Sequence, residues 1–338
     1  MSTPVAVIGA GAWGTALARL LSDKASTVRL WAYEPDVVEA IRTKRENTVF
    51  LPGVSLPESL VPTNGLEEAV QDAELLVFAV PSQFARTVLH AIGPLLGRRE
   101  VPLISATKGI EEDSLKLMTQ VMHETLPTGV RDRLAVLSGP SFAAEVARGM
   151  PTAVTLAGAE TELVKRLQTL LMTSSLRVYS SSDMIGVQLG GSLKNVIALA
   201  AGVVDGLGLG TNTRAALITR GLAEMVRLGR AMGGDARTFS GLSGMGDLVL
   251  TCTGTLSRNH TVGVRLGRGE ALADILGSMQ AVAEGVRTSR GALGLARRYQ
   301  VDMPIVQEVN AVLFDGKPCR QAVGDLMERT AKEETTQG

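Results

Sequence analysis

The chain has 338 residues, with Lys+Arg 34 balancing Asp+Glu 34 and aromatics at only 3%. That length suits about two domains, each with its own core. The neutral balance removes the electrostatic footprint of a nucleic-acid or anionic-membrane binder, and the scarcity of rings removes base-stacking platforms.

Cys252 and Cys319 are isolated thiols, and His90, His123 and His260 lack ligand spacing. No metal site or structural disulfide is expected, and a cytoplasmic location is. Met1-Ser-Thr-Pro-Val-Ala-Val-Ile8 has no basic leader and becomes a strand at once, which argues against a signal peptide.

The apolar run Val5–Ile8 reads as a buried parallel strand. Gly9-Ala-Gly11-Ala12-Trp13-Gly14 follows it and opens a helical pattern to Leu21. A second strand, Val28 to Tyr33, then delivers Glu34, 20 residues beyond Gly14. Strand, GxGxxG, helix, strand and acid form the dinucleotide fingerprint in its required context. The glycines permit the tight turn and the approach of a pyrophosphate, and the helix start supplies N–H groups and a positive dipole end. Glu34 suits the ribose hydroxyls of NAD, whereas Arg29 or Arg42 could approach the 2′-phosphate of NADP; the expected cofactor is NAD or NADP.

Further strands are expected at 74–81, 101–107, 134–138, 152–156 and 176–179. Helices are expected at 37–47, 66–70, 84–96, 114–126 and 161–172. This alternation predicts a doubly wound α/β sheet. The strand at 101–107 delivers Lys108 at its carboxyl end, where ligand crevices of open sheets lie; the alternative is an ordinary loop lysine. The strand 134–138 ends in Gly139-Pro140-Ser141-Phe142-Ala143, and a helix starting at Ala143 offers N–H groups to an anion.

After Asp183 no good strand appears. The stretch Asp183–Val204 is apolar nearly all round, with Lys194 in its middle and Gly190, Gly191, Ile197 and Ala198 on the lysine's face. Asp183 can cap it. Gln188, Ser192, Lys194 and Asn195 at its centre argue against a membrane span. It reads either as a core helix whose lysine snorkels out, or as a wall bearing a lysine of lowered pKa. Helices follow at 211–232, around 239–249 with Asp247, at 261–266, and near 270–278, 284–299, 304–315 and 318–329. The organisation expected is an NAD(P)-binding Rossmann-like domain over 1–182, an all-helical substrate and catalytic domain over 183–331, and a polar, frayed tail over 332–338.

Several long blocks fix a resemblance: Gly9–Leu17, Ser105-Ala-Thr-Lys-Gly109, Ser138–Glu145, Gly186–Ala198, Asn212 with Arg214–Gly221, Gly246–Thr253, Ser257-Arg258-Asn259 and Glu284-Gly285. In this order, over essentially the whole chain, they resemble the bacterial-type NAD(P)-dependent sn-glycerol-3-phosphate dehydrogenase family. The resemblance implies interconversion of dihydroxyacetone phosphate and sn-glycerol 3-phosphate, feeding phospholipid synthesis. It implies Lys194 as proton donor and acceptor, with Lys108, Gly139, Ser141, Asp247, Ser257, Arg258 and Asn259 on the substrate. Ala12, Trp13, Tyr33, Lys108, Ala143, Arg258, Val282 and Glu284 stand at cofactor positions. Ala12 replaces the Ser of many members, leaving only a backbone contact there. Tyr33 replaces a basic or His residue, which argues against a strong NADP preference.

On the residues alone, Asp247 is either a helix cap or the group that orients Lys194, with Asn195 the second candidate. Ser257-Arg258-Asn259 is either a phosphate site or a solvated cap, and Glu284 either a cofactor contact or a first-turn acid. Two other readings stay open: an oxo-acid reductase of related build, which would not need a phosphate site, and a redox sensor, which would need neither Lys194 nor Asp247. The second domain's apolar helices suggest a homodimer.

Overall fold

The computed structural model describes residues 3–279, 282–331 and 333–334. Most of the expected tail lies outside the described residues. Eight strands form one sheet: β1 Val5–Ile8, β2 Val28–Trp31, β3 Leu60–Thr63, β4 Leu75–Phe78, β5 Leu103–Ser105, β6 Leu134–Ser138, β7 Thr152–Gly158 and β8 Leu176–Ser181. Their order is β3-β2-β1-β4-β5-β6-β7-β8. The first six follow the 3-2-1-4-5-6 order of dinucleotide-binding sheets, all parallel. β7 runs antiparallel to β6, and β8 parallel to β7.

β1 is buried throughout and alternates between two cores. Val5 and Val7 face one apolar cluster, with Leu17, Leu30 and Ile104, whereas Ala6 and Ile8 face another, with Phe78, Leu89 and Ile92. A helical layer therefore covers each face of the sheet. A third cluster, built around Leu193, Ile197, Leu228 and Phe239, is the core of the helical half.

Three expectations are corrected. β3 does not emerge from the pattern because it is four residues long and carries Pro62; it is tolerated because β3 is a sheet edge. The helix expected over 114–126 starts only at Met118, since Leu115 is held at φ 59 and an Ile110–Leu117 bridge closes a loop ahead of it. The expected helix around 239–249 is broken in two: a π-helical turn, Leu242–Gly246, feeds a separate helix, Asp247–Thr253.

Every strand precedes residue 182, and from Met184 on the described elements are helical. The helix Met184–Gly206 is capped as expected, with Asp183 accepting from the Gly186 N–H at 2.8 Å. Among the described residues it is the one helix long and apolar enough to cross a membrane, and 89% of its apolar window is buried inside the protein. Helices Gly210–Ala231, Asp247–Thr253, Arg258–Gly267 and Glu284–Arg298 pack around it.

Candidate active site

The fingerprint folds as expected. Gly9 has φ +112, and a Cβ there would lie 2.8 Å from the Ala79 carbonyl oxygen. At Gly14 a Cβ would run into the Gly9 carbonyl. Gly11 differs, because a Cβ there would meet nothing within 4 Å. The open side of the turn is thus at Gly11, at the start of the helix Ala12–Leu21, which no side chain caps. Trp13 presents a buried Nε1 with no partner. Bare helix N–H groups, clear space and an unpaired donor fit a ligand rich in acceptor oxygens. The helix Ala143–Ala147, also uncapped by a side chain, packs beside Ala12 and Trp13.

Tyr33 stands at the end of β2, 79% exposed, edge-on to Trp31 at 6.5 Å. Arg29 lies early in β2, and its guanidinium donates to the Gln71 carbonyl. It is therefore committed away from the end of the strand where Tyr33 and Glu34 lie.

The second half of the site centres on one carboxylate. Asp247 is fully buried. Lys194 Nζ donates to its Oδ1 at 2.7 Å and to Thr251 Oγ1 at 2.8 Å. Lys108 Nζ donates to its Oδ2 at 2.6 Å and to the Gly139 carbonyl at 3.2 Å. Ser141 Oγ also donates to that carbonyl, at 3.0 Å. Gly139 has φ +139 and would press a Cβ against Val154 Cα at 3.0 Å, so its turn requires glycine. Lys194, Lys108, Gly139, Ser141 and Asp247 are thereby brought together at the carboxyl ends of β5 and β6.

Lys194 is 7% exposed. Burial lowers its pKa to about 8 against the pull of Asp247, and Lys108 pushes the same way as burial. The snorkelling reading is overturned, since the ammonium points into the protein and binds two buried oxygens.

Gly190 and Gly191 also gain a reason. A methyl at Gly190 would collide with the Ser243 carbonyl, and one at Gly191 with Ser138 Oγ, 3.6 Å from Lys108 Cδ. The protein's own groups fill the space beside the lysine's helix.

Ser257, Arg258 and Asn259 sit at a helix start one turn earlier than expected, since Arg258 is the first residue of Arg258–Gly267. Ser257 is the N-cap, accepting from the His260 N–H at 3.2 Å. Asn259 is buried; its Nδ2 donates to Asn195 Oδ1 and its Oδ1 accepts from the Gly285 N–H, each at 2.9 Å. Asn195 therefore faces Asn259, not Lys194, and Asp247 alone of the two candidates holds the lysine. The Arg258 side chain is exposed and closes no hydrogen bond or ion pair among the described residues. Glu284 begins the next helix, just after Val282, and burial pushes its pKa up to about 7 against the attraction of Arg258, Lys108 and Lys194. Glu284 thus feels all three cations, and Lys194 feels Glu284 and Lys108 in return.

Thr251 escaped sequence reasoning. Its signal was the spacing: four residues after Asp247 on one helix, it shares that residue's face.

A six-strand parallel order with a bare fingerprint helix, and a buried, carboxylate-held lysine at the strand ends, define an NAD(P)-dependent oxidoreductase acting on a CH–OH group. Residues 4–164 match the NAD-dependent glycerol-3-phosphate dehydrogenase N-terminus, and residues 183–324 its C-terminus. The chain belongs to the NAD-dependent glycerol-3-phosphate dehydrogenase family. It is 58% identical to glycerol-3-phosphate dehydrogenase (NAD(P)+) of Geobacter metallireducens, over 99% of both chains. The crystal structure of glycerol-3-phosphate dehydrogenase from Coxiella burnetii superposes with a TM-score of 0.92 at 39% identity, covering 97% of this chain and 99% of that one. A ketopantoate reductase from Ralstonia eutropha shares the fold alone, with a TM-score of 0.59 at 16% identity over 96% of this chain and 100% of that one.

Proposed function

We propose that the chain interconverts dihydroxyacetone phosphate and sn-glycerol 3-phosphate, with Lys194 as the group that gives and takes the proton. The observation that carries this reading is the buried Lys194 ammonium, bound to Asp247 at 2.7 Å and lowered to a pKa of about 8. A lysine so poised exchanges a proton near neutral pH, where an exposed lysine near 10.4 holds it. Gly11, Ala12, Trp13 and Ala143 would hold the pyrophosphate side of NAD or NADP, with Tyr33 at the adenosine end and Val282 and Glu284 flanking the cleft. When bound, the nicotinamide supplies or accepts the hydride.

In the reductive direction Lys194 protonates the C2 oxygen of the substrate, and Lys108 beside it favours negative charge on that oxygen. Asp247 fixes both ammonium groups. Gly139 and Ser141 shape the floor, where the absence of bulk lets the carbonyl carbon come close. Arg258, with no partner among the described residues, offers its planar fork to the substrate phosphate, at a helix start that adds N–H groups. Ser257 and Asn259 hold that helix start in place.

We read the chain as two domains meeting at Asp183, working as a cytoplasmic homodimer and supplying glycerol phosphate for phospholipid synthesis. The exposed Tyr33, which cannot neutralise a 2′-phosphate, supports NAD as the preferred cofactor. The test is oxidation of NADH and NADPH, side by side, with dihydroxyacetone phosphate, for the wild type and Lys194→Met. Turnover with neither cofactor, or near-normal turnover in Lys194→Met, overturns the reading.

A further inference from the structure

Asp247 holds its two lysines from the first turn of a helix that does not begin in the ordinary way. The five residues before it, Leu242–Gly246, form a π-helical turn in which Gly246 N–H reaches the Gly241 carbonyl at 3.1 Å and the Asp247 N–H points at Leu242 and Gly244 carbonyls. Such turns are rare and recur at functional sites, because one extra residue rotates everything beyond it. The turn is wedged on two sides. Ser243, 1% exposed, sets its carbonyl against the bare backbone of Gly190, one helical turn before Lys194. Gly246 faces Pro140, 3.6 Å from the position of a Cβ, in the Gly139–Ser141 loop. The same five residues therefore touch the lysine's helix and the loop whose carbonyl binds Lys108.

We propose that the π-helical turn Leu242–Gly246, seated on Gly190, is a positioning element that sets the Asp247 carboxylate between Lys194 and Lys108. A regular α-turn would rotate the residue that follows by about 100°, one residue of a 3.6-residue turn, and the carboxylate would leave the lysines. Gly190 is required because any side chain there lifts the turn from the helix. The proposal rests on Lys194 exchanging the proton; the groups facing that ammonium are Asp247, Lys108 and Glu284, with the thiol of Cys252 behind.

The test compares four variants by thermal melting, kcat, and the pH profile of kcat/KM in the reductive direction. Asp247→Asn removes the carboxylate itself. Deletion of Met245, 44% exposed, takes one residue out of the π-turn without opening the core. Gly190→Ala pushes the turn outward. Gly206→Ala, on the same helix, makes a comparable intrusion on the Val264 carbonyl, far from Asp247. The Met245 deletion and Gly190→Ala are expected to lower kcat about tenfold or more, within the roughly 10²–10⁴-fold span of acid–base help. Both are expected to move the alkaline limb to lower pH, as Asp247→Asn does, because Lys194 loses the anion that favours its charged form. Gly206→Ala is expected to lower the melting temperature and leave the limb in place.

If Asp247→Asn leaves the limb unmoved, the assignment of Lys194 fails. If Asp247→Asn moves it and the folded Met245 deletion does not, the positioning proposal is overturned. A shift in Gly206→Ala equal to that in Gly190→Ala overturns it as well.

Discussion

Lys194 and Lys108 bind opposite oxygens of Asp247, at 2.7 and 2.6 Å, one from a helix of the second half and one from the end of β5. The carboxylate is thus the joint between the halves, as well as the partner of each ammonium. Asp247→Asn keeps the shape and removes the charge, leaving the buried Lys194 and the half-buried Lys108 without the carboxylate that binds both. The expected result is a loss in kcat of about 10²-fold or more with cofactor binding preserved. Measured NADH affinity separates this from unfolding.

The pH dependence follows from Lys194. Its pKa of about 8 means that the protonated form dominates below pH 8 and is lost above it. In the role proposed for Lys194 reduction draws on its proton, so reductive kcat/KM is expected to be flat at lower pH and to fall as pH rises through about 8. Oxidation needs the free amine and is expected to rise over the same interval. Parallel profiles in the two directions would contradict the assignment.

Gly11 and Gly14 separate binding from folding. Gly11 has φ −62 and ψ 175, ordinary extended backbone, and open space in front of it. Gly11→Val is expected to melt close to the wild type, within about 0.5 kcal/mol, and to bind NADH about tenfold more weakly, near 1.4 kcal/mol. Gly14→Val forces a side chain into the Gly9 carbonyl and is expected to lose the folded state. Isothermal titration and thermal melting together distinguish the two.

Asn259 ties Asn195 to the N–H of Gly285, all of them buried. Asn259→Ala leaves a buried amide and a helix-start N–H unpaired, at a cost of about 1–3 kcal/mol for each group stranded. It is expected to lower the denaturation midpoint and also to raise KM for NADH, because the Gly285 N–H belongs to the turn that bears Glu284. Asn259→Asp retains the acceptor for Gly285 and is expected to recover part of the KM effect.

Glu224 is 1% exposed and accepts the N–H groups of Ile305, at 2.7 Å, and Val306, at 3.2 Å, at the start of the helix Pro304–Phe314. Burial raises its pKa from 4.5 to about 7, despite those donors. A raised carboxyl pKa means that the folded state holds the proton more tightly than the unfolded one. Its contribution to stability is therefore complete below pH 4.5 and declines as pH rises to 7. Glu224→Gln is expected to flatten that decline in urea midpoints measured from pH 5 to 7.5.

The sheet and its fingerprint were legible because parallel strands buried on both faces read as apolar runs, and a fixed turn separates β1 from its helix. β3 was not, since Pro62 at a sheet edge looks like a loop. Lys194 was visible as one charge in an apolar helix, and Asp247 as an acid among glycines. What periodicity could not supply is which polar group faces which: Asn195, next to Lys194, turns to Asn259, while Asp247 arrives from 53 residues away. The π-turn that orients it breaks the helical period, so a reading by period smooths it into one helix.

The reversal of direction between β6 and β7 decides where Lys194 ends up. β6 runs towards the crevice; β7 and β8 run back, so the chain leaves the sheet from its far side. The next helix must then climb alongside β6, with Val187 level with Val136 and Gly191 level with Ser138. Ten residues past Met184, about 15 Å at 1.5 Å each, the climb reaches the height of Gly139, and there stands the lysine. A parallel β7 and β8 would have launched the same helix at the crevice and carried its midpoint out past the rim. One inverted strand pair thus acts as a ruler, converting a count of residues into a distance from the sheet's lower edge to the Lys194–Asp247 pair.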